Sequence, residues 1–84
     1  MKPWYLYVVQ CNDLSLYTGV TTDTDRRIRE HNESPRGAKY TRARRPVTLV
    51  YKRRYPNKGE AMRAEHEFKK LMRTTKLEII ENSS

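Results

Sequence analysis

Eighty-four residues with a formal charge of +8, 36% hydrophobic side chains and one cysteine exclude several classes at once. The chain is too short for a second domain. A lone Cys11 cannot close an intrachain disulfide, and no apolar run approaches the roughly 18 residues of a membrane-spanning helix. No signal-like apolar stretch opens the sequence, so the expectation is one cytoplasmic domain over 1–84, with its core within 4–80.

In chain order, Trp4–Gln10 (WYLYVVQ) is aromatic and β-branched, the composition of a strand. Alternation places Tyr5, Tyr7 and Val9 on one face and Trp4, Leu6 and Val8 on the other. Asn-Asp turn chemistry in CNDLS (11–15) leads to a second strand, LYTGVT (16–21), so the two form a hairpin. Tyr17 and Gly19 share a face there, and a glycine beside tyrosines suits close approach to the backbone. Thr22 or Asp23 can cap the helix that follows, and Asp25 suits its positive N-terminal dipole. That helix is very polar. Ile28 is its one large apolar residue, so burial of an apolar stripe does not explain what holds it. ESPRGAKYTRARRP (33–46) reads as a loop, and VTLVYKRRY (47–55) as a third strand. After Pro56-Asn57-Lys58-Gly59 the longest helix runs from about Glu60 to Arg73. TTKLEIIEN (74–82) is either a short last helix or a strand on Leu77, Ile79 and Ile80, the helix being preferred.

The charge is unevenly spread. Residues 1–42 carry seven basic and five acidic side chains, and residues 43–84 carry eleven and five. No acid falls between Glu33 and Glu60, where nine basic residues do. A one-sign stretch repels itself unless an anion neutralises it. A merely solubilising surface is the plainer alternative. Tyr40, Tyr51 and Tyr55 interleave with the charges and offer stacking faces, which favours nucleic acid. An anionic membrane is disfavoured because the stretch has no amphipathic helical pattern. Lys39, Tyr40, Arg42, Arg44 and Arg45 are the candidate nucleic-acid contacts.

On the Glu60–Arg73 segment, Ala61, Ala64, Phe68, Leu71 and Met72 follow helical spacing and form one apolar face. Glu65 borders that face, where a carboxylate must be paired, hydrogen-bonded or bound to a cation. A Glu65–Lys69 pair on a solvated flank is one outcome. A carboxylate aimed into a cleft is the other. Arg27 and His31 lie four residues apart on one helix face, an arrangement that by itself is ordinarily surface decoration. No Cys/His cluster has zinc spacing, and the three glycines make no phosphate-cradling motif.

Together, Tyr7, then Tyr17-Thr18-Gly19, then Arg27 and His31, then a lone helical Glu65 resemble the GIY-YIG nuclease domain. The likeness is greatest to the small bacterial proteins in which that domain stands alone. Tyr5-Leu6-Tyr7 corresponds to the Gly-Ile-Tyr motif, and Tyr17-Thr18-Gly19 to Tyr-Ile-Gly. RRIREHN matches the helix bearing the family's arginine and, four residues on, a histidine or tyrosine. GEAMRAEHEFK matches the helix whose metal-binding glutamate falls on Glu65, and GAKYTRARRP looks like the loop of the stand-alone group. The likeness runs from Trp4 to Ile80. Val20 stands where many members carry lysine or glutamine, and a late polar residue, often asparagine, has no counterpart.

The resemblance implies an α+β fold, a small three-stranded antiparallel sheet flanked by helices in the order β-β-α-β-α-α. It implies a metal-dependent nuclease that hydrolyses DNA phosphodiester bonds with low or structure-directed specificity. The implied catalytic set is Tyr7, Tyr17, Arg27, His31 and Glu65. Glu65 would hold one Mg²⁺ or Mn²⁺ largely through waters, and the planar fork of Arg27 would neutralise phosphate charge. Tyr17 leads as base or water-orienting group, with Tyr7 and His31 as rivals. The implied partner is nucleic acid, DNA in preference to RNA. Two other expectations compete with this one. The first is a non-catalytic nucleic-acid-binding protein on the same scaffold, and the second is an accessory subunit in a repair or recombination assembly.

Overall fold

The computed structural model describes residues 2–83. They run β1 (Trp4–Gln10), β2 (Leu16–Thr21), α1 (Thr24–Glu33), α2 (Lys39–Arg42), β3 (Thr48–Tyr55), α3 (Lys58–Lys69) and α4 (Arg73–Asn82). The strands form an antiparallel sheet in the order β2-β1-β3. This is the expected α+β fold, with one added short helix. The most apolar strand takes the centre because both its faces are covered, and Leu6, Tyr7, Val8 and Val9 are consecutively buried. Alternation then divides the core. Tyr7 and Val9 join Cys11 and Val47 on the face that Ile28 of α1 packs against. Leu6 and Val8 meet Phe68 of α3, with Ile79 and Ile80 of α4 at the edge. Each such side chain, fully buried, stabilises the fold by ~1.5–3 kcal/mol.

Asp23 is the cap of α1, its carboxylate accepting the Arg26 N–H at 3.0 Å. The longest helix starts two residues earlier than its pattern suggests. The Asn57 side chain accepts the Glu60 N–H at 2.9 Å and donates to the Glu60 carboxylate at 3.2 Å, so Lys58 and Gly59 form the first turn. It also ends at Lys69 rather than Arg73. Met72 therefore leaves the predicted apolar face and is 72% exposed, while Leu71 still packs against the core from the turn. The final segment is the helix, not the strand.

The predicted loop over 33–46 is corrected most. It contains α2 and folds back against the end of α1. At Gly37 an added Cβ would lie 2.7 Å from the Glu30 carbonyl oxygen and 3.0 Å from His31 Cα, so a side chain there would block the return. Arg45 then donates to the His31 carbonyl and, at 2.6 Å, to the Ser34 carbonyl, satisfying acceptors at the helix end. Asn32 and Val47 clasp α1 to the start of β3. The Asn32 amide donates to the Val47 carbonyl at 3.0 Å and accepts the Val47 N–H at 2.7 Å. The helix that buries so little apolar surface is held largely by polar bonds.

Candidate active site

Tyr7 and Gly19 are direct partners across β1 and β2. The Tyr7 ring lies over the glycine so closely that a Cβ there would sit 2.5 Å from the phenol oxygen. Laid across Gly19, the phenol reaches His31 Nε2 at 2.7 Å. His31 is fully buried, and its Nδ1 lies 2.8 Å from Thr41 Oγ1 of α2. Tyr17 meets the same imidazole edge-on, with ring centroids 5.4 Å apart. Tyr40 stacks on Tyr17 at 5.9 Å, and the Arg44 guanidinium lies 4.0 Å from the Tyr40 ring centre. One cluster thus draws on β1, β2, α1 and α2.

Arg27 sits one helical turn before His31. Its Nη1 donates to the Glu30 carboxylate at 2.9 Å and to the Arg36 carbonyl at 3.0 Å, with 24% of the side chain exposed. Burial alone would lower its pKa, but Glu30 and the neighbouring Tyr7 phenol raise it above the ordinary arginine value, so it remains charged. Burial pushes the Tyr7 phenol up to about 12, against the pull of the Arg27 guanidinium beside it. Burial and then Arg27 hold His31 down to about 4. The Tyr7–His31 pair is therefore neutral near pH 7.

Glu65, on α3, is 20% exposed and pairs with Lys69 at 3.4 Å. Its charge is also felt at Tyr7, where it adds to the upward push on the phenol. The pair that spacing suggests is formed, and the carboxylate still belongs to the field of the cluster. Of the five expected catalytic residues, Tyr7, Tyr17, Arg27 and His31 gather in one cluster, and Glu65 reaches it through its charge at Tyr7.

A model of the GIY-YIG catalytic domain matches residues 3–78. The chain belongs to the GIY-YIG family. A UPF0213 protein of Staphylococcus haemolyticus is 52% identical over 81 residues, covering 96% of this chain and 98% of that protein. One from Desulfotalea psychrophila is 49% identical over 80 residues, covering 95% of this chain and 73% of that protein. The solution NMR structure of a UPF0213 protein from Bacillus halodurans is 49% identical and superimposes with a TM-score of 0.60, covering 94% of this chain and 83% of its own. A second NMR structure, from E. faecalis, is 43% identical with a TM-score of 0.66, covering 98% and 86%.

The two stretches that resemble the family's signature motifs meet through Tyr7 and Gly19, one supplying a phenol and the other the space for it. Nucleases of this family generally use a divalent metal. Among the described residues no three His, Cys, Asp or Glu side chains gather closely enough to ligate an ion. The donor set fits a hard cation held by the Glu65 carboxylate and otherwise by water; it does not fit zinc, which needs a closed set of nitrogen or sulfur ligands.

The candidate nucleic-acid contacts divide by what already holds them. Lys39 and Arg42 are exposed and form no ion pair among the described residues. Arg44 donates to Asp13 at 3.0 Å and to the Tyr40 carbonyl at 2.8 Å, Arg45 caps α1, and Tyr40 is 40% exposed against Tyr17. Sequence reading passed over Thr41, Asn32 and Gly37. The one available signal for Thr41 is an uncharged, short hydroxyl residue inside the basic run KYTRARR.

Proposed function

We propose that this GIY-YIG chain is a divalent-metal-dependent nuclease that hydrolyses DNA phosphodiester bonds, with little reading of base sequence. The observation that supports it best is Arg27: charged, fixed by Glu30 and Arg36, yet partly open beside the Tyr7–His31 hydrogen bond. A guanidinium so oriented offers a planar pair of donors to the phosphate oxygens as charge develops on them.

Phosphodiester hydrolysis forms one bond from water oxygen to phosphorus and breaks another to the leaving oxygen. Glu65 is the residue that would hold Mg²⁺ or Mn²⁺; bound there, the ion supplies positive charge at the phosphate and the leaving oxygen. His31 does not meet the attacking water, because it is fully buried. Burial raises the Tyr7 phenol and lowers His31, so both directions oppose passing a proton from Tyr7 to His31. Tyr7 is therefore a neutral hydrogen-bonding post. Tyr17 is only partly buried, which supports our assignment of its phenol as the group that orients the water. Lys39 and Arg42 supply phosphate contacts, which position a duplex without specifying its sequence. A reducing, cytoplasmic setting suits Cys11, whose free thiol is buried.

The test is cleavage of labelled single-stranded, duplex and branched DNA in Mg²⁺, Mn²⁺ or EDTA. Wild type, Glu65→Ala and Arg27→Ala are prepared identically. Metal-dependent cutting that is lost in both variants, while DNA binding by Glu65→Ala persists, supports the proposal. No cutting by the wild type, or equal cutting by all three, sinks it.

A further inference from the structure

We infer that Thr41 is a positioning residue that fixes the tautomer of His31 and so directs the Tyr7 hydrogen inward, leaving the phenol's lone pairs to face the site. Its functional half rests on the nuclease reading above; the tautomer itself does not.

The inference follows from counting hydrogens. Thr41 Oγ1 has one hydrogen and two close contacts, the Ala38 carbonyl at 2.9 Å and His31 Nδ1 at 2.8 Å, and solvent does not reach it because Thr41 is fully buried. A carbonyl oxygen only accepts, and we assign the hydroxyl hydrogen to the Ala38 carbonyl, which also accepts the Thr41 and Arg42 N–H groups at 3.1 Å. Facing Nδ1, Thr41 Oγ1 is then an acceptor, and Nδ1 must carry the hydrogen. A neutral imidazole has one N–H. Nε2 is therefore bare and accepts from the Tyr7 hydroxyl at 2.7 Å. No buried side-chain nitrogen or oxygen among the described residues lacks a partner, so this pattern satisfies the cluster in full.

The consequence reaches Arg27. With its own hydrogen directed inward, the Tyr7 oxygen turns its lone pairs toward the Arg27 guanidinium, which is a donor only. Donation then runs one way, from Tyr7 to His31, Thr41 and finally the Ala38 carbonyl, with the Arg27 guanidinium beside the Tyr7 end, and bonds aligned head to tail polarise one another. Reversing the tautomer would direct the Tyr7 hydrogen at the guanidinium, donor against donor, and displace the group that meets phosphate. Thr41 adjoins Tyr40, which stacks on Tyr17, so two neighbouring residues of α2 brace the two tyrosines of the motifs.

The experiment is long-range proton–nitrogen correlation NMR on ¹⁵N-histidine protein at pH 7, without DNA or metal. Wild type, Thr41→Ser and Thr41→Val are compared, and cleavage kinetics are measured on the same samples. We expect the Nδ1–H form in wild type and Thr41→Ser. In Thr41→Val the Nε2–H form should gain population, and kcat should fall ~10-fold or more with KM changed less than ~3-fold. An Nε2–H or doubly protonated His31 in the wild type overturns the inference, and that reading needs no variant to fold. An unchanged tautomer in Thr41→Val also overturns it, and a shifted tautomer with unchanged kcat overturns the link to Arg27. Should the wild type cut no DNA, the nuclease proposal fails and the NMR still decides the tautomer.

Discussion

Replacing Gly19 with alanine tests the contact on which the cluster is built. The added Cβ would lie 2.5, 2.7 and 2.9 Å from Tyr7 Oη, Cζ and Cε2, where ordinary van der Waals contact begins at 3.4 Å. The phenol would have to withdraw by about 0.9 Å, the difference between 3.4 and 2.5 Å. It has no room to do so freely, since Tyr7 is 2% exposed and its oxygen is held 2.7 Å from His31. Overpacking of a filled core costs ~1–3 kcal/mol, and disrupting a buried hydrogen bond costs ~1–3 kcal/mol more. Allowing for partial relaxation, Gly19→Ala should destabilise the fold by ~2–4 kcal/mol and lower Tm by ~10–25 °C. Gly59→Ala is the matched control. There the Cβ meets only Asn57 Oδ1, at an ordinary 3.4 Å, inside the first turn of a helix. That variant should be neutral or stabilised by up to ~1 kcal/mol. Urea and thermal unfolding by circular dichroism would measure both. A Gly19→Ala stability within ~0.5 kcal/mol of wild type would refute the claim that this glycine exists to admit the phenol.

Acid stability should carry the signature of His31. Its folded pKa, about 4, lies below the ordinary 6.5, so the unfolded chain binds the proton more readily. Stability is full above 6.5 and falls as pH drops toward 4, by ~3 kcal/mol. Urea midpoints across that window should slope for wild type and flatten in His31→Gln; parallel slopes would contradict the assignment. At the alkaline end the Tyr7 phenol, raised to about 12, contributes stability below pH 10 that is lost between 10 and 12. The basic residues should separate by role. Arg45→Ala should lose ~1–2 kcal/mol of stability through the α1 end while leaving the salt dependence of DNA binding intact. Lys39→Ala and Arg42→Ala should keep stability and each reduce the log–log salt slope by about 1. A flat response in both assays would remove those two from the interface.

The sheet and its flanking helices were readable because their signals are local. WYLYVVQ can fill a strand covered on both faces, and Ala61, Ala64 and Phe68 repeat at helical spacing. What escaped was set by contacts between distant residues. The apolar repeat of α3 continues into Leu71 and Met72, but the chain turns at Lys70, and no periodicity could announce that. The basic segment read as a loop because Pro35 and Gly37 stand near its start and Pro46 at its end. Three of its residues are nevertheless spent on α1: Gly37 by close approach, Thr41 on His31 and Arg45 on the helix-end carbonyls. A count of positive charge therefore overstates the surface left for phosphate, which narrows within that segment to residues such as Lys39 and Arg42.

The polarity of α1 follows from the same accounting. A helix buried through leucines would have been stable by area alone, at about 25 cal/mol per Å², and indifferent to which atoms it presented. Here the buried residues are Thr24 and His31, and the His31 ring needs an acceptor on one side and a donor on the other. Thr41 and Tyr7 provide them, so α1 can sit in only one rotation and one height against β1. That fixes Arg27, one turn away, relative to the Tyr7 phenol. A hydrogen-bonded anchor specifies position more narrowly than an apolar one, and misplacing a charged group by about 1 Å can cost 100-fold in rate. The helix gives up apolar burial and gains the registry that the proposed phosphate contact of Arg27 requires.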